Sequence, residues 1–132
     1  MVTGGSRGIG AATVLSLARA GHDIVFSYRA DSDAADRVRI AATNHGIRSR
    51  AIKADVTDEA DVERLFGAAA EIGTTTGLVN NAGLTANLGD LADTPVEVIR
   101  NVIDVNLSAS SCVPVRRSGR CRLGAAGAVA RL

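Results

Sequence analysis

The chain has 132 residues, 46% of them hydrophobic but only 2% aromatic, and a formal net charge of +1 at pH 7. This length limits it to one compact domain, packed by Val, Leu, Ile and Ala, a mix that suits strands buried on both faces. No apolar run approaches the roughly 20 residues of a membrane helix, and early glycines and an arginine break any signal-peptide pattern.

Met1-Val2-Thr3 reads as the end of a strand, followed by the glycine-rich turn Gly4-Gly5-Ser6-Arg7-Gly8-Ile9-Gly10. Ile9 to Ala20 places Ile9, Ala12, Val14, Leu15, Leu17 and Ala18 at a spacing that predicts a helix against a sheet, with Gly21 as its stop. Asp23 to Tyr28 is a β-rich run. Ser32 or Asp33 caps a second predicted helix ending near His45, before Gly46. Arg50 to Ala54 reads as a strand that enters Asp55-Val56. Thr57, ahead of Asp58 and Glu59, is the expected N-cap of a third helix with Val62, Leu65, Phe66, Ala69 and Ile72 on its apolar face. Leu78-Val79-Asn80 is a short strand closed by Asn81-Ala82-Gly83. Pro95 takes the first position of a fourth helix, whose Val98, Val102, Ile103 and Val105 lead into Asn106-Leu107. Strands alternating with helices in this way predict an α/β fold with a parallel sheet and crossover helices.

From Ser108 the periodicity fails. All 14 acidic residues lie at or before Asp104, together with 10 of the 15 basic ones, whereas residues 108–132 carry Arg116, Arg117, Arg120, Arg122 and Arg131 with no acid. The tail is expected to be basic and irregular, a body of different character from residues 1–107. Cys112 and Cys121 form neither a disulfide framework nor a metal knuckle and read as reduced thiols in a cytoplasmic protein. His22 and His45 have no nucleophile or ligand near them in sequence and read as surface residues.

The glycine turn has a physical logic. A strand must bend sharply into a helix while its backbone approaches a bulky anion. Glycines remove the Cβ atoms that would block the approach, and the helix start offers N–H groups and a positive dipole end. The spacing is G-x-x-x-G-x-G, because Thr13 stands where the last glycine of G-x-G-x-x-G would fall. These features suit the diphosphate of a nicotinamide dinucleotide.

Thr3-Gly4-x-x-x-Gly8-x-Gly10 resembles the cofactor motif of the classical short-chain dehydrogenases/reductases, with Ser6, Arg7 and Ile9 inside the loop. Asp55-Val56 resembles the family's acidic position that contacts the adenine ring, and Asn80-Asn81-Ala82-Gly83 its motif that stabilises the sheet and lines the cofactor site. Asn106 aligns with the helix asparagine of the family's catalytic tetrad, holding a water in a proton relay or keeping the site in shape; without a partner it is only a helix asparagine. The resemblance covers residues 2–107. It implies an incomplete Rossmann-type, doubly wound α/β/α sheet of about four strands and four helices. It also implies an NAD(P)-dependent oxidoreductase moving hydride between the dinucleotide and a small carbonyl or alcohol substrate.

Cofactor choice follows from charge. An acid about 20 residues after the glycines suits the ribose 2′-hydroxyl of NAD, and an arginine suits the 2′-phosphate of NADP. Here the predicted strand ends in Tyr28-Arg29, and Arg7 adds a second cation. NADP is favoured, while Asp31 and Asp33 keep NAD open and either arginine alternatively reads as a solvated surface charge.

Hydride transfer to a carbonyl needs a proton donor, which the family supplies from a Tyr-x-x-x-Lys pair assisted by a serine. The only tyrosine is Tyr28, with Ser32 four residues later, and the only lysine is Lys53. The acid–base centre is therefore missing, and the chain is expected to be a truncated, catalytically incompetent form. With permitted codons, the tail read one base over yields an amphipathic helix and a Gly-Gly-Ala-Ile-Val run, so a frame shift is a hypothesis that the nucleotide sequence decides. Two further readings are a non-catalytic dinucleotide-binding module and a nucleic-acid binder acting through the arginine tail. The second is disfavoured, because the tail lacks aromatic stacking residues. No metal site and no membrane partner are expected. Homo-oligomers are common in the family, but the tail puts assembly of this chain in question. The strand at 78–80 is expected to stand at an open sheet edge, with poor solubility as the consequence.

Overall fold

A computed structural model describes residues 1–85, 90–108 and 128–131. Among the described residues, four strands, β1 (Ile24–Tyr28), β2 (Ser49–Lys53), β3 (Gly77–Asn80) and β4 (Ala128–Arg131), accompany four α-helices, α1 (Gly8–Arg19), α2 (Ser32–Thr43), α3 (Glu59–Ile72) and α4 (Val96–Ile103). β1 pairs in parallel with β2, and β3 in parallel with β4. The two pairs are joined by the N-terminal segment: Val2 bridges to Phe26 on one side and Val79 on the other, both in parallel. The sheet therefore runs β2–β1–(Val2)–β3–β4, which is the order of a Rossmann-type fold with a very short central strand.

The alternation of β1 explains the layers. Ile24 and Phe26 face α1 and α2, where they pack with Val2, Val14, Ala18, Ala35 and Ala42. Val25 faces the other way and packs with Leu65, Ala68 and Ala69 of α3. At β1 the sheet is thus covered on both faces, as expected of a parallel sheet. Within α1 the row Gly10, Val14, Ala18 is buried, an i, i+4, i+8 stripe. Ile9 and Ala12 fall off this row and are exposed, against the sequence expectation of a packed face; Ile9 is 68% exposed.

The helix ends differ from expectation in detail. Asp31, rather than Ser32 or Asp33, caps α2 by accepting the Ala34 N–H at 2.8 Å. Asp58, rather than Thr57, caps α3 by accepting the Asp61 N–H at 3.0 Å. Pro95 stands at the N-cap of α4, one residue before the helix. A carboxylate and a hydroxyl compete for each cap, and in both α2 and α3 an aspartate reaches the first-turn amide. Gly21 is the expected stop of α1: with φ +83, it lets its own N–H reach Ala18 O and the His22 N–H reach Leu17 O, a Schellman end.

The tail also differs. Residues 128–131, expected to be irregular, form β4 along β3, in register from Gly77↔Ala128 to Asn80↔Arg131. The β3 edge expected to be open is therefore paired; short runs of Ala and Val beside a strand edge gain ladder hydrogen bonds that periodicity does not reveal. Cys112, Cys121, Arg116, Arg117, Arg120 and Arg122 lie outside the described residues.

Candidate functional site

Every motif segment singled out above, from the glycine turn to Asn81-Ala82-Gly83, follows the carboxyl end of a strand or of the central segment, where ligands bind in open α/β sheets. Thr3 ends the central segment and is buried, and the chain then turns through Gly4 at φ +66. Gly4 N–H donates to Ser27 Oγ at 3.1 Å and Gly5 N–H to Ser27 O at 2.8 Å, which lays the turn against β1. At Gly5 a Cβ would come within 2.7 Å of Phe26, so the turn has no room for a larger residue there. At Gly10 a Cβ would lie 2.2 Å from Gly4 O and 2.4 Å from Asn81 Nδ2. The third glycine of the motif is thus needed for the close approach of α1 to the turn.

Gly8 has a different role. Its φ is +54, and a Cβ there would meet nothing within 4 Å. The space before the first turn of α1 is open. Arg7 is the N-cap, its side chain makes no capping hydrogen bond, and Arg7, Gly8 and Ile9 are all exposed. The start of a helix offering N–H groups and a dipole end beside an exposed guanidinium fits a diphosphate.

The turn is tied to the end of β3 by reciprocal bonds. Thr3 Oγ1 accepts the N–H groups of Asn81 (3.0 Å) and Ala82 (2.9 Å), and Asn81 Nδ2 donates to Thr3 O (2.9 Å) and Gly4 O (3.1 Å). Asn106 continues this chain of contacts. It lies in a single π-helical turn, Asp104–Ser108, that extends α4, a feature often found at functional sites. Its Oδ1 accepts the Leu84 N–H and its Nδ2 donates to Leu84 O, both at 2.9 Å. Gly83 is the neighbour of this clasp, since a Cβ there would lie 3.0 Å from Asn106 Oδ1. Beneath it, Val56, Val105, Ala82 and Leu84 pack together.

On the other side of the turn, Arg29 and Asp55 leave neighbouring strands side by side. Tyr28 pairs with Lys53, and Ala54 N–H donates to Tyr28 O at 2.9 Å. Arg29 Nε then lies 3.2 Å from Asp55 Oδ2. Asp55 Oδ1 accepts the Thr57 hydroxyl at 2.7 Å and the Thr57 N–H at 3.0 Å. These two bonds, the hydroxyl first, hold the Asp55 carboxyl below its ordinary value, with the Arg29 charge adding to them. Arg64 Nη2 donates to Lys53 O at 2.6 Å, which fixes the strand just before Asp55.

The structure brings Gly4, Gly10, Asn81 and Ala82 into direct contact, and joins Arg29 to Asp55 and Asn106 to Leu84. It leaves Arg7 and Ile9 exposed beside the open turn, with Ser6 half-buried. Tyr28 is half-buried and packs against the α1/α2 side of the core. Sequence reasoning included Thr3 in the motif without giving it a role, read Thr57 only as a helix cap, and missed Ser27 and Asp61. Ser27 carried a legible signal, a hydroxyl inside an otherwise apolar strand; at 1% exposure it is as buried as the core. A cleft of about 560 Å³ opens at the opposite, amino-terminal end of the sheet, lined by Met1, Leu17, Ile24, Arg48, Ile72 and Leu78 among others. None of the motif residues lines it, so volume and chemistry point to different ends of the sheet. The chemistry decides, because the carboxyl end holds the convergent N–H groups and charges. Among the described residues no cluster of three His, Cys, Asp or Glu could hold a metal, and no helix is long and apolar enough to cross a membrane.

A parallel α/β sheet with a glycine turn at the start of its first helix defines a Rossmann-type protein. The sequence pattern of the short chain dehydrogenase family matches residues 1–114. The chain belongs to that family. It is 34% identical over 110 residues to the L-rhamnose 1-dehydrogenase (NADP(+)) of Thermoplasma acidophilum, covering 83% of this chain and 43% of that relative. A short-chain dehydrogenase/reductase from Serratia marcescens superposes with a TM-score of 0.89 at 34% identity, over 98% of this chain and 52% of that one. A short chain dehydrogenase from Burkholderia cenocepacia in complex with NADP superposes with a TM-score of 0.84 at 34% identity, over 91% of this chain and 49% of that one. The chain thus spans about half the length of the relatives it matches.

Proposed function

We propose that residues 1–107 bind a nicotinamide dinucleotide, NADP in preference to NAD, as the cofactor-binding half of an oxidoreductase acting on a small carbonyl or alcohol. The observation that carries this reading is the open turn at Gly8, with Arg7 exposed beside it and Arg29 at the end of the adjacent strand. The NADP named for the Thermoplasma acidophilum and Burkholderia cenocepacia proteins supports the same cofactor.

In this reading the first-turn N–H groups of α1 and the Arg7 guanidinium hold the diphosphate, and Arg29 meets the 2′-phosphate. Asp55 and Val56 would border the adenine, and Ile9, Asn81, Ala82 and Gly83 would line the rest of the site. The bound dinucleotide supplies or accepts a hydride. Asn106 acts as a positioning residue: both ends of its amide are engaged by Leu84, so it fixes the Gly83–Leu84 turn. The sequence has no Tyr-x-x-x-Lys pair to fill the acid–base role. The only tyrosine is Tyr28, which packs against the core, so we expect binding without turnover by these 132 residues. Residues 108–132 lie outside the binding half in this reading, and a cytoplasmic location accompanies it.

Titration of the purified chain with NADPH and NADH, followed by nucleotide fluorescence, tests the assignment. NADPH binds more tightly, and Arg29→Asp reverses or removes the preference. An unchanged preference in Arg29→Asp removes Arg29 from this role. A non-catalytic binding module gives the same titration; turnover of any carbonyl or alcohol substrate by the chain rejects that second reading and the proposed incompetence together.

A further inference from the structure

Resting on the assignment of Arg29 to the 2′-phosphate, we infer that Thr57 is a specificity-determining positioning residue, acting through Asp55 to present Arg29. The relay is visible atom by atom. The Thr57 hydroxyl and N–H both donate to Asp55 Oδ1, and Asp55 Oδ2 faces Arg29 Nε at 3.2 Å. Each carboxylate oxygen thus has its own partner, so the plane of the carboxylate is set from one side by Thr57 and serves Arg29 on the other.

The backbone of the relay is fixed separately. Asp55 N–H donates to Asp61 Oδ2 at 2.8 Å, Asp61 N–H donates to Asp58 Oδ1 at 3.0 Å, and Asp61 also pairs with Arg64. Asp55 is therefore held at its N–H by α3 and at its side chain by Thr57. Arg29 has no such frame of its own, being 66% exposed at the end of β1. A long, exposed arginine loses considerable side-chain freedom when it meets a ligand, and its planar fork recognises phosphate well only when correctly turned. The ion pair places Asp55 beside Arg29 Nε, and a phosphate would take the Nη groups of the fork. The ordering is partly done before the ligand arrives.

An opposite reading is physically possible from the same ion pair: Asp55 would compete with the phosphate for Arg29. Binding of adenosine 2′,5′-bisphosphate and of adenosine 5′-monophosphate to the full chain separates these readings, because the two ligands differ only by the 2′-phosphate. The quantity is the ratio of their dissociation constants. Thr57→Val removes the hydroxyl and keeps the N–H; it lowers the 2′-phosphate advantage by about threefold, the scale of an exposed charge pair, with 5′-monophosphate binding within about twofold of the parent. Thr57→Ser restores the advantage. A ratio that stays constant while both ligands weaken, or that rises in Thr57→Val, overturns the relay. Arg29→Ala serves as the separate control. If it abolishes the advantage while Thr57→Val does not, the relay fails and the Arg29 assignment stands; if Arg29→Ala leaves the ratio at the parent value, the assignment itself fails. Retained 5′-monophosphate binding shows in each variant that the site is folded.

Discussion

Thr3 and Asn81 hold each other from both ends. The Thr3 hydroxyl accepts the Asn81 N–H at 3.0 Å, while the Asn81 side-chain amide donates to the Thr3 carbonyl at 2.9 Å. The pair lies 78 residues apart in sequence, and it locks the glycine turn to the loop that follows β3. The glycine turn is thus a tertiary structure, supported by a side chain from a different βα unit.

Thr3→Val tests this support at nearly constant shape. The valine leaves the Asn81 and Ala82 N–H groups without their common acceptor. Each stranded donor is only partly buried and costs about 1 kcal/mol, the low end for a buried one, so an overall loss of about 2 kcal/mol is expected. Thr3→Ser keeps the acceptor and is expected to lose about 1 kcal/mol from its missing methyl. Urea unfolding followed by far-UV circular dichroism measures both; equal losses in the two variants contradict the role given to the hydroxyl.

Gly10→Ala and Gly8→Ala separate two reasons for a glycine. At Gly10 the obstacle is space, since a Cβ would lie 2.2 Å from Gly4 O, and relief requires α1 or the turn to move. At Gly8 the space is open, and the obstacle is a φ of +54, worth about 1–2 kcal/mol for a residue with a Cβ. Gly10→Ala is therefore expected to lower the melting temperature more than Gly8→Ala and to weaken dinucleotide binding as well. Equal shifts in melting temperature show that the α1 approach is looser than the contacts indicate.

Much of this arrangement was legible in the residues. The order of strands and helices, the glycine turn and the Asn81-Ala82-Gly83 segment were readable because each rests on a local pattern. The supports were not. Thr3 to Asn81, Asp55 to Asp61 and Asn106 to Leu84 are side-chain-to-backbone bonds, and a single sequence carries no periodic signal for such pairings. Thr57 shows the difficulty well. As a hydroxyl before two acids it satisfied the rule for a helix cap, yet its hydroxyl turns back to Asp55 and leaves the cap to Asp58. β4 was missed for a related reason, since its place is defined by β3 beside it and not by any pattern of its own.

Asn106 is expected to act on the Gly83–Leu84 turn more than on global stability. Asn106→Asp keeps the acceptor for the Leu84 N–H but loses the donor to Leu84 O, whereas Asn106→Ala loses both. The residue is exposed, so the loss of stability for either variant is expected to stay within about 1 kcal/mol. Amide hydrogen exchange at Leu84 should accelerate in Asn106→Ala and change much less in Asn106→Asp. If Leu84 exchanges at the parent rate in Asn106→Ala, the clasp does not hold the turn.

Acid should weaken the fold through three aspartates. Hydrogen bonds from Arg48 hold Asp23 below the ordinary value of 3.8, hydrogen bonds from Thr57 do the same for Asp55, and the Asp55 N–H does so for Asp61, with Arg64 assisting. A carboxyl whose value is lower in the folded than in the unfolded chain binds protons more readily when unfolded, so stability rises with pH across that interval. The contribution is fully present well above 3.8 and is lost as the pH falls through 3.8 toward the lower folded values. Urea midpoints are therefore expected to be flat between about pH 7 and 5 and to fall below about pH 4.5. Thr57→Val removes the largest of the influences on Asp55 and should make this fall shallower. Midpoints that stay constant down to pH 3, or a slope identical in Thr57→Val, would show that these hydrogen bonds do not favour the charged carboxylates.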